Sequence, residues 1–422
     1  MGDDNIIQGD NPGKGETTFI GVFLLVSWVI FTPFFMITFY LFIKRRNKQP
    51  IKARSPTLLS LSSLAAYIVI THNSLSIWYG TEHWPCIISF WLTYLIIPWY
   101  FLPYIFRCLR LFFIFNINSQ KALTNSGTGN DKQSWLMRRR KWFSDKHLLR
   151  WLYLLCFGLF AFGLYRQFID ERNYPDRYGC ATTETAIISL SAFFGPFLAL
   201  IIFSIWFLRS IRDEFNINKE LKIITFVWIV TIVPYLVLSY IGNVTVSALL
   251  SVYYNAITYI VSDVHPLYLS YIGAERIKVP SSSILSSLDN VLKDEHAHDA
   301  FKDFLVQEFS VENILFWDEV EDFKKLAERD EIKERARYIY DKYIDPSSVF
   351  EVNLDSNDKE QIKKSLKKTT IDMYNEPQNS IFDLMESDSW PRFLKSNLCK
   401  DLIHKFHADE NLFEILREAG LV

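Results

Sequence analysis

Apolar stretches of about 20 residues, each long enough to cross a lipid bilayer as a helix, constrain this chain more than any other feature. Seven follow one another in the first two thirds of the sequence: Phe19–Ile43, Leu58–Trp78, Cys86–Phe106, Leu148–Phe168, Thr185–Phe207, Ile223–Tyr240 and Leu249–Tyr271. The alternative is a soluble all-α core, but such a core does not need seven segments of this kind in succession. The sequence therefore predicts an all-α fold that begins with a seven-helix transmembrane bundle.

Charge divides the chain into two parts of different character. Residues 281–422 carry 19 Lys and Arg against 31 Asp and Glu, a net charge of −12, whereas residues 1–280 carry a net charge of +10. A membrane part therefore precedes an acidic, soluble part. The basic residues cluster in short loops beside the apolar spans, where lipid headgroups attract them. We expect membrane lipid, and not nucleic acid, as their partner.

The distribution of Lys and Arg among the loops predicts the orientation of the spans. The loops after the first, third and fifth spans hold nearly all of them, and the remaining tail and loops hold Lys14, Arg172 and Arg177. Basic loops stay in the cytosol, so the N-terminus is expected outside the cell. An odd number of spans then leaves the C-terminal part in the cytosol. We expect a multi-pass protein of the plasma membrane.

Four segments follow from these patterns. Residues 1–18 are a polar extracellular tail without the basic region or cleavage site of a signal peptide. Residues 19–271 are the transmembrane part, residues 272–283 a linker, and residues 284–422 a helical domain. Asp263 and His265 lie inside the last span, where ionisable groups are functional candidates. A structural hydrogen bond within the bundle explains them equally well.

The soluble part contains a helix–corner–helix pattern, FKDFLVQEFSVENILFW, at Phe301–Trp317, with the corner expected at Phe309–Ser310. Ser310 is predicted to be the N-cap of the second helix, because its hydroxyl can accept from the N–H groups of the first turn. The residues that follow at helical spacing and form one apolar face are Phe316, Val320 and Phe323. Glu312 and Asn313 lie in the first turn, off that face. The pattern alone is also explained by a solvated helix start.

Three blocks of this part resemble, in their order and spacing, the signature blocks of the regulator of G-protein signalling (RGS) domain. They are SVENILFW from Ser310, EVNLDS at Glu351–Ser356 and IFDLMESDSWPRFLKS at Ile381–Ser396. The similarity covers Ser287 to Phe406, and three ordered blocks are far more specific than one short motif. The resemblance implies an all-helical cytosolic RGS domain that binds the Gα subunit of heterotrimeric G proteins.

In that family the domain accelerates GTP hydrolysis on Gα. Gα carries its own catalytic arginine, and its slow step is holding mobile switch loops in the transition-state arrangement. A partner that binds this arrangement best lowers the barrier without an acid, base or nucleophile. The resemblance therefore implies a GTPase activator that is not itself an enzyme, with GTP-bound or transition-state Gα as its partner and no cofactor. No Cys/His cluster in the sequence has the spacing of a zinc site.

By similarity, eight residues are expected to contact Gα. They are Glu308, Glu312, Asn313, Asn353, Leu384, Asp388, Ser389 and Arg392. Asn353 matches the asparagine that reaches toward the water-positioning glutamine of Gα. Asp388 and Arg392 are spaced to pair with each other as well. Trp390 stands where the family often has tyrosine, a departure that we interpret as a packing difference.

Seven spans followed by an RGS domain are similar to the seven-transmembrane RGS proteins of plants, in number and order of spans rather than in a sharp motif. Cys86 starts the third span on the outer side, and Cys180 lies in the next outer loop. This placement resembles the disulfide of G-protein-coupled receptors. Two unrelated free thiols are the alternative.

Two other functions are left open by the sequence. The first is a receptor whose bundle activates Gα, with the RGS domain as an internal brake. The end of the last span, His265–Leu269, departs from the NPxxY pattern, and Arg107 and Arg110 have no acidic neighbour in the sequence. The second is a scaffold that binds Gα without accelerating hydrolysis, against which the retained Asn313 and Asn353 argue. The sequence does not decide whether an extracellular ligand acts on the protein.

Overall fold

The computed structural model describes residues 14–80, 83–125, 135–173, 195–197, 199–204, 206, 208–209, 211–241, 243–272 and 284–406. Every regular element in these ranges is helical, as predicted. The chain forms two compact units. The first comprises Met1–Phe112, Lys141–Ile211 and Phe215–Ala274, and the second comprises Phe113–Arg140, Arg212–Glu214 and Glu275–Val422.

The helices are numbered in chain order. They are α1 (Lys14–Lys44), α2 (Pro56–Tyr79), α3 (Cys86–Trp91), α4 (Ile97–Asn125), α5 (Trp135–Arg138), α6 (Asp145–Asn173), α7 (Ile217–Tyr240), α8 (Val244–Tyr259), α9 (His265–Ile272), α10 (Leu288–Lys293), α11 (Glu295–Gln307), α12 (Glu312–Phe323), α13 (Arg329–Ile339), α14 (Ser356–Ser365), α15 (Asn375–Leu384) and α16 (Trp390–Phe393). Residues 397–406 are also helical. One-turn π-helical segments join neighbouring helices at Leu92–Ile96, Ile260–Val264 and Met385–Ser389, and another, Tyr340–Ile344, extends the end of α13.

Five helices in the described ranges are long and apolar enough to cross a membrane. They cover Phe19–Lys44, Pro56–Tyr79, Ile87–Leu123, Asp145–Ile169 and Thr245–Ile272. These helices correspond to the first four predicted spans and to the seventh. Much of the predicted fifth span lies outside the described residues, and the predicted sixth span forms part of α7. The seven-helix bundle as a whole therefore stays a prediction.

Several predicted features lie outside the described residues. Cys180, the side chain of Cys86, most of the linker and most of the N-terminal tail belong to this group. The predicted Cys86–Cys180 disulfide therefore stays a prediction. Among the described residues, Cys108, Cys156 and Cys399 are buried and form no disulfide.

Large apolar side chains lie on the outside of the first unit. Phe19 is 75% exposed, Phe157 71% and Ile30 67%. In an apolar stretch of 18 residues within α1, only 17% of the residues are buried. Soluble proteins rarely expose many large apolar side chains side by side. This surface is typical of a protein that is surrounded by lipid.

Two buried arginines of the first unit share one carboxylate. Arg54 Nε lies 2.6 Å from Oε2 of Glu220, and Arg107 Nη2 lies 2.6 Å from Oε1 of the same residue. Arg107 has no acidic neighbour along the chain, yet it finds this partner 113 positions later. Two buried positive charges that share one carboxylate depend on it, because an unpaired buried charge is strongly destabilising.

Asp263, singled out by its place inside the last span, is buried as well. Its two carboxylate oxygens accept hydrogen bonds from Ser63 Oγ at 2.8 Å and from Ser262 Oγ at 2.9 Å. Buried polar groups are normally satisfied in this way. The contacts therefore support the structural role that was weighed for Asp263.

The core of the second unit is rich in aromatic rings. Phe393 packs edge-on against Phe301 and Phe304, with ring centroids 5.2 and 5.5 Å apart. Trp390, which shares α16 with Phe393, also lies against α11, with its ring 6.2 Å from that of Phe301 and 5.7 Å from that of Phe393. Aromatic pairs at such distances add to the stability gained from burial. Trp390 therefore serves packing, as predicted.

Candidate functional site

The corner between α11 and α12 positions the first predicted residues. Phe309 has a φ angle of 66°. Its N–H donates to the Val306 carbonyl at 3.3 Å, and the N–H of Ser310 donates to the Leu305 carbonyl at 2.9 Å. These are the two hydrogen bonds of a Schellman motif, whose left-handed position is usually glycine. The predicted corner at Phe309 and Ser310 is confirmed.

Ser310 is not the N-cap of α12, contrary to the prediction. The helix begins at Glu312, with Val311 as its N-cap. The hydroxyl of Ser310 is buried and bonds to no residue in the described part of the chain. Instead, the backbone carbonyl of Ser310 accepts from the N–H of Asn313 at 3.2 Å. The Schellman motif fixes the backbone of Ser310, so its carbonyl and not its side chain meets the first turn.

Four of the predicted residues form one connected group, here called the Glu308 group: Glu308, Asp388, Ser389 and Arg392. Oε1 of Glu308 accepts from Ser389 Oγ at 3.1 Å and is paired with Arg392. Arg392 Nη1 lies 2.5 Å from Oδ1 of Asp388, so the pair expected from their spacing is confirmed. Glu308 is the C-cap of α11, and the other three belong to the third block. The group therefore ties the third block to the end of α11.

Three of the residues that were expected to contact a partner are buried. Glu308 is 7% exposed, Asn313 6% and Ser389 3%. Burial raises the pKa of Glu308 above its ordinary value, although the guanidinium of Arg392 opposes the shift. Asn313 precedes Phe316 and Val320 by three and seven residues and therefore lies on the apolar side of α12, contrary to the prediction that placed it off that face. The three buried residues can position a binding surface more readily than they can touch a partner.

Asn353 and Leu384 stand apart from the Glu308 group. Asn353 is exposed between two buried neighbours, Val352 and Leu354. The N–H of Val352 donates to the Tyr343 carbonyl at 2.9 Å and holds this loop. In the described ranges the side chain of Asn353 has no hydrogen-bond partner, so its amide is free to reach a bound protein. Leu384 is half-buried at the end of α15 and packs against the core.

Sequence reasoning missed one residue at this surface, Lys121. Its Nζ lies 2.9 Å from Oε2 of Glu312 and 5.8 Å from the centroid of the Phe350 ring. The third span was predicted to end at Phe106, but α4 continues to Asn125. Residues 111–120 hold no charged side chain. The one available signal was therefore that Lys121 is the first charge after an uninterrupted helical run.

Charge and shape, rather than reaction chemistry, characterise this arrangement. Exposed and half-exposed charges of both signs, on Glu312, Asp388 and Arg392, lie on a scaffold of buried hydrogen bonds. Such surfaces recognise a partner through electrostatic complementarity. Among the described residues, no group of three or more His, Cys, Asp and Glu is arranged to hold a metal ion.

Known proteins are similar to this chain in the part that contains the three blocks. Residues 287–402 match the family model described as the regulator of G protein signaling domain. Regulator of G-protein signaling 1 of Xenopus tropicalis is 36% identical over 139 residues, 32% of this chain and 69% of the relative. Regulator of G-protein signaling 21 of Homo sapiens is 39% identical over 118 residues, 28% of this chain and 78% of the relative. Regulator of G-protein signaling rgs-2 of Caenorhabditis elegans is 38% identical over 124 residues, 29% of this chain and 73% of the relative.

Proposed function

Since this chain belongs to the regulator of G-protein signalling family, we propose that it is a membrane-anchored GTPase-activating protein for Gα subunits. The observation that carries the proposal is the match of residues 287–402 to the RGS domain. Regulation of G-protein signalling through Gα follows from that membership. Anchoring in the membrane, acceleration of GTP hydrolysis and the residues that contact Gα are the proposed refinements.

The proposed mechanism needs a rigid surface. Gα hydrolyses GTP slowly while its switch loops move, and a partner accelerates the reaction by binding their transition-state arrangement most tightly. The Glu308 group supplies rigidity, because a buried carboxylate joins the end of α11 to Ser389 and Arg392. We assign the steadying of the switch loops to the exposed amide of Asn353.

The proposed contact set comprises two kinds of residue. Those with exposed or half-exposed side chains, which touch Gα, are Glu312, Asn353, Leu384, Asp388 and Arg392. Those that are buried and position the others are Glu308, Asn313 and Ser389. This division follows from the burial of each side chain. It makes a charge reversal at Glu312 a test of binding, and a truncation at Asn353 a test of acceleration.

The surface of the first unit supports membrane anchoring. Five helices are long and apolar enough to span a bilayer. A sixth, α7, carries a stripe of apolar side chains that are each more than half exposed, namely Phe226, Val230, Val233 and Val237. Their spacing places them on one face of the helix. We propose that α7 and the stretch Thr185–Phe207 complete seven spans, with the RGS domain in the cytosol.

Single-turnover GTP hydrolysis by a Gα subunit tests the proposal. The fragment 281–422 is suitable, because the matching region makes up 78% of the human relative and so constitutes most of a protein by itself. We expect Asn353→Ala to lose about tenfold in maximal acceleration, the size of effect that one interaction made only in the transition state can have. Glu312→Lys is expected to weaken binding mainly, since unfavourable charge juxtaposition at an interface costs several kcal/mol.

Matched variants separate these effects from general damage. Asn357→Ala and Glu360→Lys make the same chemical changes at exposed positions of α14 and should behave like the unchanged fragment. Acceleration at the unchanged level by both Asn353→Ala and Glu312→Lys would refute the residue assignment. Binding of Gα by the unchanged fragment without any acceleration would instead leave a scaffold as the function.

A further inference from the structure

We propose that residues 113–125 and 135–140, here called the cover, lie over the Gα-binding surface of the same chain and compete with Gα for it. The proposal rests on the proposed function, because it concerns the regulation of that same site. The cover belongs to the second unit, together with the RGS domain. Three sets of contacts made by the cover support it, together with the contact of a separate segment, Arg212–Glu214.

The first contact is the ion pair between Lys121 and Glu312. Nζ of Lys121 lies 2.9 Å from Oε2 of Glu312, and Lys121 as a whole is only 7% exposed. An ammonium group buried to this extent needs a carboxylate partner. Glu312 is the residue expected to present its charge to Gα. While Lys121 is paired with it, the charge of this carboxylate is largely neutralised and attracts Gα less.

The second contact is apolar. Ile117 and Met137 of the cover are buried in the same apolar core as the RGS helices, and Ala122 and Leu136 pack against that core. Ile117 and Lys121 are four residues apart and therefore share one face of α4. The same helix face thus supplies an apolar anchor and a charge. A face of this composition is typical of a docked helix.

The third set of contacts reaches the edge of the second block. Nη2 of Arg140 donates to the carbonyl oxygen of Ser347 at 2.8 Å. Lys121 lies 5.8 Å from the centroid of the Phe350 ring, within the range of a cation–π interaction. Phe350 directly precedes the block that contains Asn353, and Ser347 lies four residues before it. The cover therefore contacts the domain beside two of the three signature blocks.

A separate segment, Arg212–Glu214, contacts the domain beside the Glu308 group. The N–H of Glu214 donates to the carbonyl oxygen of Gln307, the residue before Glu308, at 3.4 Å. Burial, and then the nearby charge of Glu308, raise the pKa of Glu214 to about 7. The other charges that act on Glu214 are those of Arg392 and Asp213. Two segments that are far apart in sequence thus contact the domain at, or directly beside, residues assigned to Gα binding.

A cover of this kind lowers the apparent affinity for Gα. Only the fraction of molecules with an open surface can bind, and the apparent dissociation constant rises in inverse proportion to that fraction. Gα in its transition-state form and the cover are then alternative occupants of one surface. Loss of the cover is expected to raise acceleration at limiting protein concentration by at least about fivefold, the lower end of typical coupling between sites.

The test uses the full chain in lipid nanodiscs and single-turnover hydrolysis by GTP-loaded Gα. Lys121→Glu reverses the charge that meets Glu312 and should raise acceleration at least about fivefold, toward the level of the fragment 281–422. Lys121→Arg keeps the ion pair and should behave like the unchanged chain. Lys146→Glu makes the same charge reversal at an exposed residue outside the cover and should have no effect.

A reversible cross-link tests the cover without altering any residue assigned to Gα binding. Arg140→Cys and Ser347→Cys, joined by a bis-methanethiosulfonate linker, should lock the cover in place and reduce acceleration. Reductant should restore it. Two results would refute the cover, provided that the fragment 281–422 accelerates hydrolysis. The first is equal acceleration by the cross-linked chain before and after reduction. The second is equal acceleration by Lys121→Glu and the unchanged chain. If neither the fragment nor Lys121→Glu accelerates hydrolysis, the proposed function fails and the cover fails as a regulator with it.

Discussion

Some residues of this surface support it from beneath and do not touch a partner, and Glu308 is one of them. Its carboxylate is buried, with Arg392 as its charged partner and Ser389 as a donor. Its other oxygen, Oε2, is also buried and accepts no hydrogen bond within the described ranges. A charge in this position depends strongly on Arg392. A substitution at Arg392 therefore affects stability as well as any contact with Gα.

We expect Arg392→Gln to lower the free energy of unfolding of the fragment 281–422 by about 2 kcal/mol at pH 8. This is less than the loss of about 3–5 kcal/mol for a fully buried pair, because Arg392 is partly exposed. Burial raises the pKa of Glu308, and the loss of Arg392 raises it further. If folding raises the pKa of a carboxyl group, its charged form destabilises the folded state at high pH. This destabilisation is lost as the pH falls toward the pKa that the group has in the unfolded chain, because the carboxyl then becomes protonated in the folded state.

Urea unfolding at pH 8 and pH 5 checks this expectation. The deficit of Arg392→Gln relative to the unchanged fragment should be smaller at pH 5. Glu308→Gln combined with Arg392→Gln should be more stable at pH 8 than Arg392→Gln alone, because no buried charge is left unpaired. A deficit that does not depend on pH would mean that Glu308 is not the group responsible.

The turn between α11 and α12 of the second unit holds one residue, Phe309, in an unfavourable backbone conformation. Phe309 ends α11 with a φ angle of 66°, a conformation that costs L-residues about 1–2 kcal/mol and glycine almost nothing. We expect Phe309→Gly to be more stable than Phe309→Ala by about 1 kcal/mol, although both lose the same aromatic side chain. The order should reverse at Asp303 inside α11, where alanine is favoured over glycine by about 1 kcal/mol. Chemical denaturation of these four variants measures both differences, and the same order at both positions would contradict the turn geometry.

The sequence predicted the local features of these elements better than their surroundings. Phe309 and Ser310 were identified as the corner, and Asp388 and Arg392 as a pair, because both depend on residues close together in the chain. The capping role given to Ser310 was wrong, because the preceding helix end fixes its backbone. The burial of Glu308 under Ser389 and Arg392, and the partner of Lys121, depend on contacts between distant segments. Periodicity within one helix carries no information about such contacts.

The whole molecule combines a basic, apolar first part with an acidic second part. The apolar stretches and the charge asymmetry predicted this division, and five of the seven predicted spans have helices of suitable length and composition. The third span was predicted to end at Phe106, whereas α4 continues to Asn125. The point where the sequence stops being apolar indicates where the chain leaves the bilayer, but the helix can continue beyond that point.

Membrane topology is the prediction that belongs to this scale. The excess of Lys and Arg in the loops after the first, third and fifth spans predicts an outside N-terminus and a cytosolic C-terminus. Antibodies should label an N-terminal tag on intact cells, and a C-terminal tag only after permeabilisation. Labelling of the C-terminal tag on intact cells would place the RGS domain on the wrong side for Gα and would contradict the scheme.

The ion pair between Lys121 and Glu312 also has an evolutionary consequence. The two residues are 191 positions apart, so a single mutation rarely changes both. A neutral residue at position 312 would leave a buried ammonium without its counter-charge, and such a loss is destabilising. Selection against variants in which only one of the two residues has changed therefore makes the two positions change together. Among descendants of this sequence, we expect a lysine at position 121 to be inherited together with an acidic residue at position 312, and the two to be lost together.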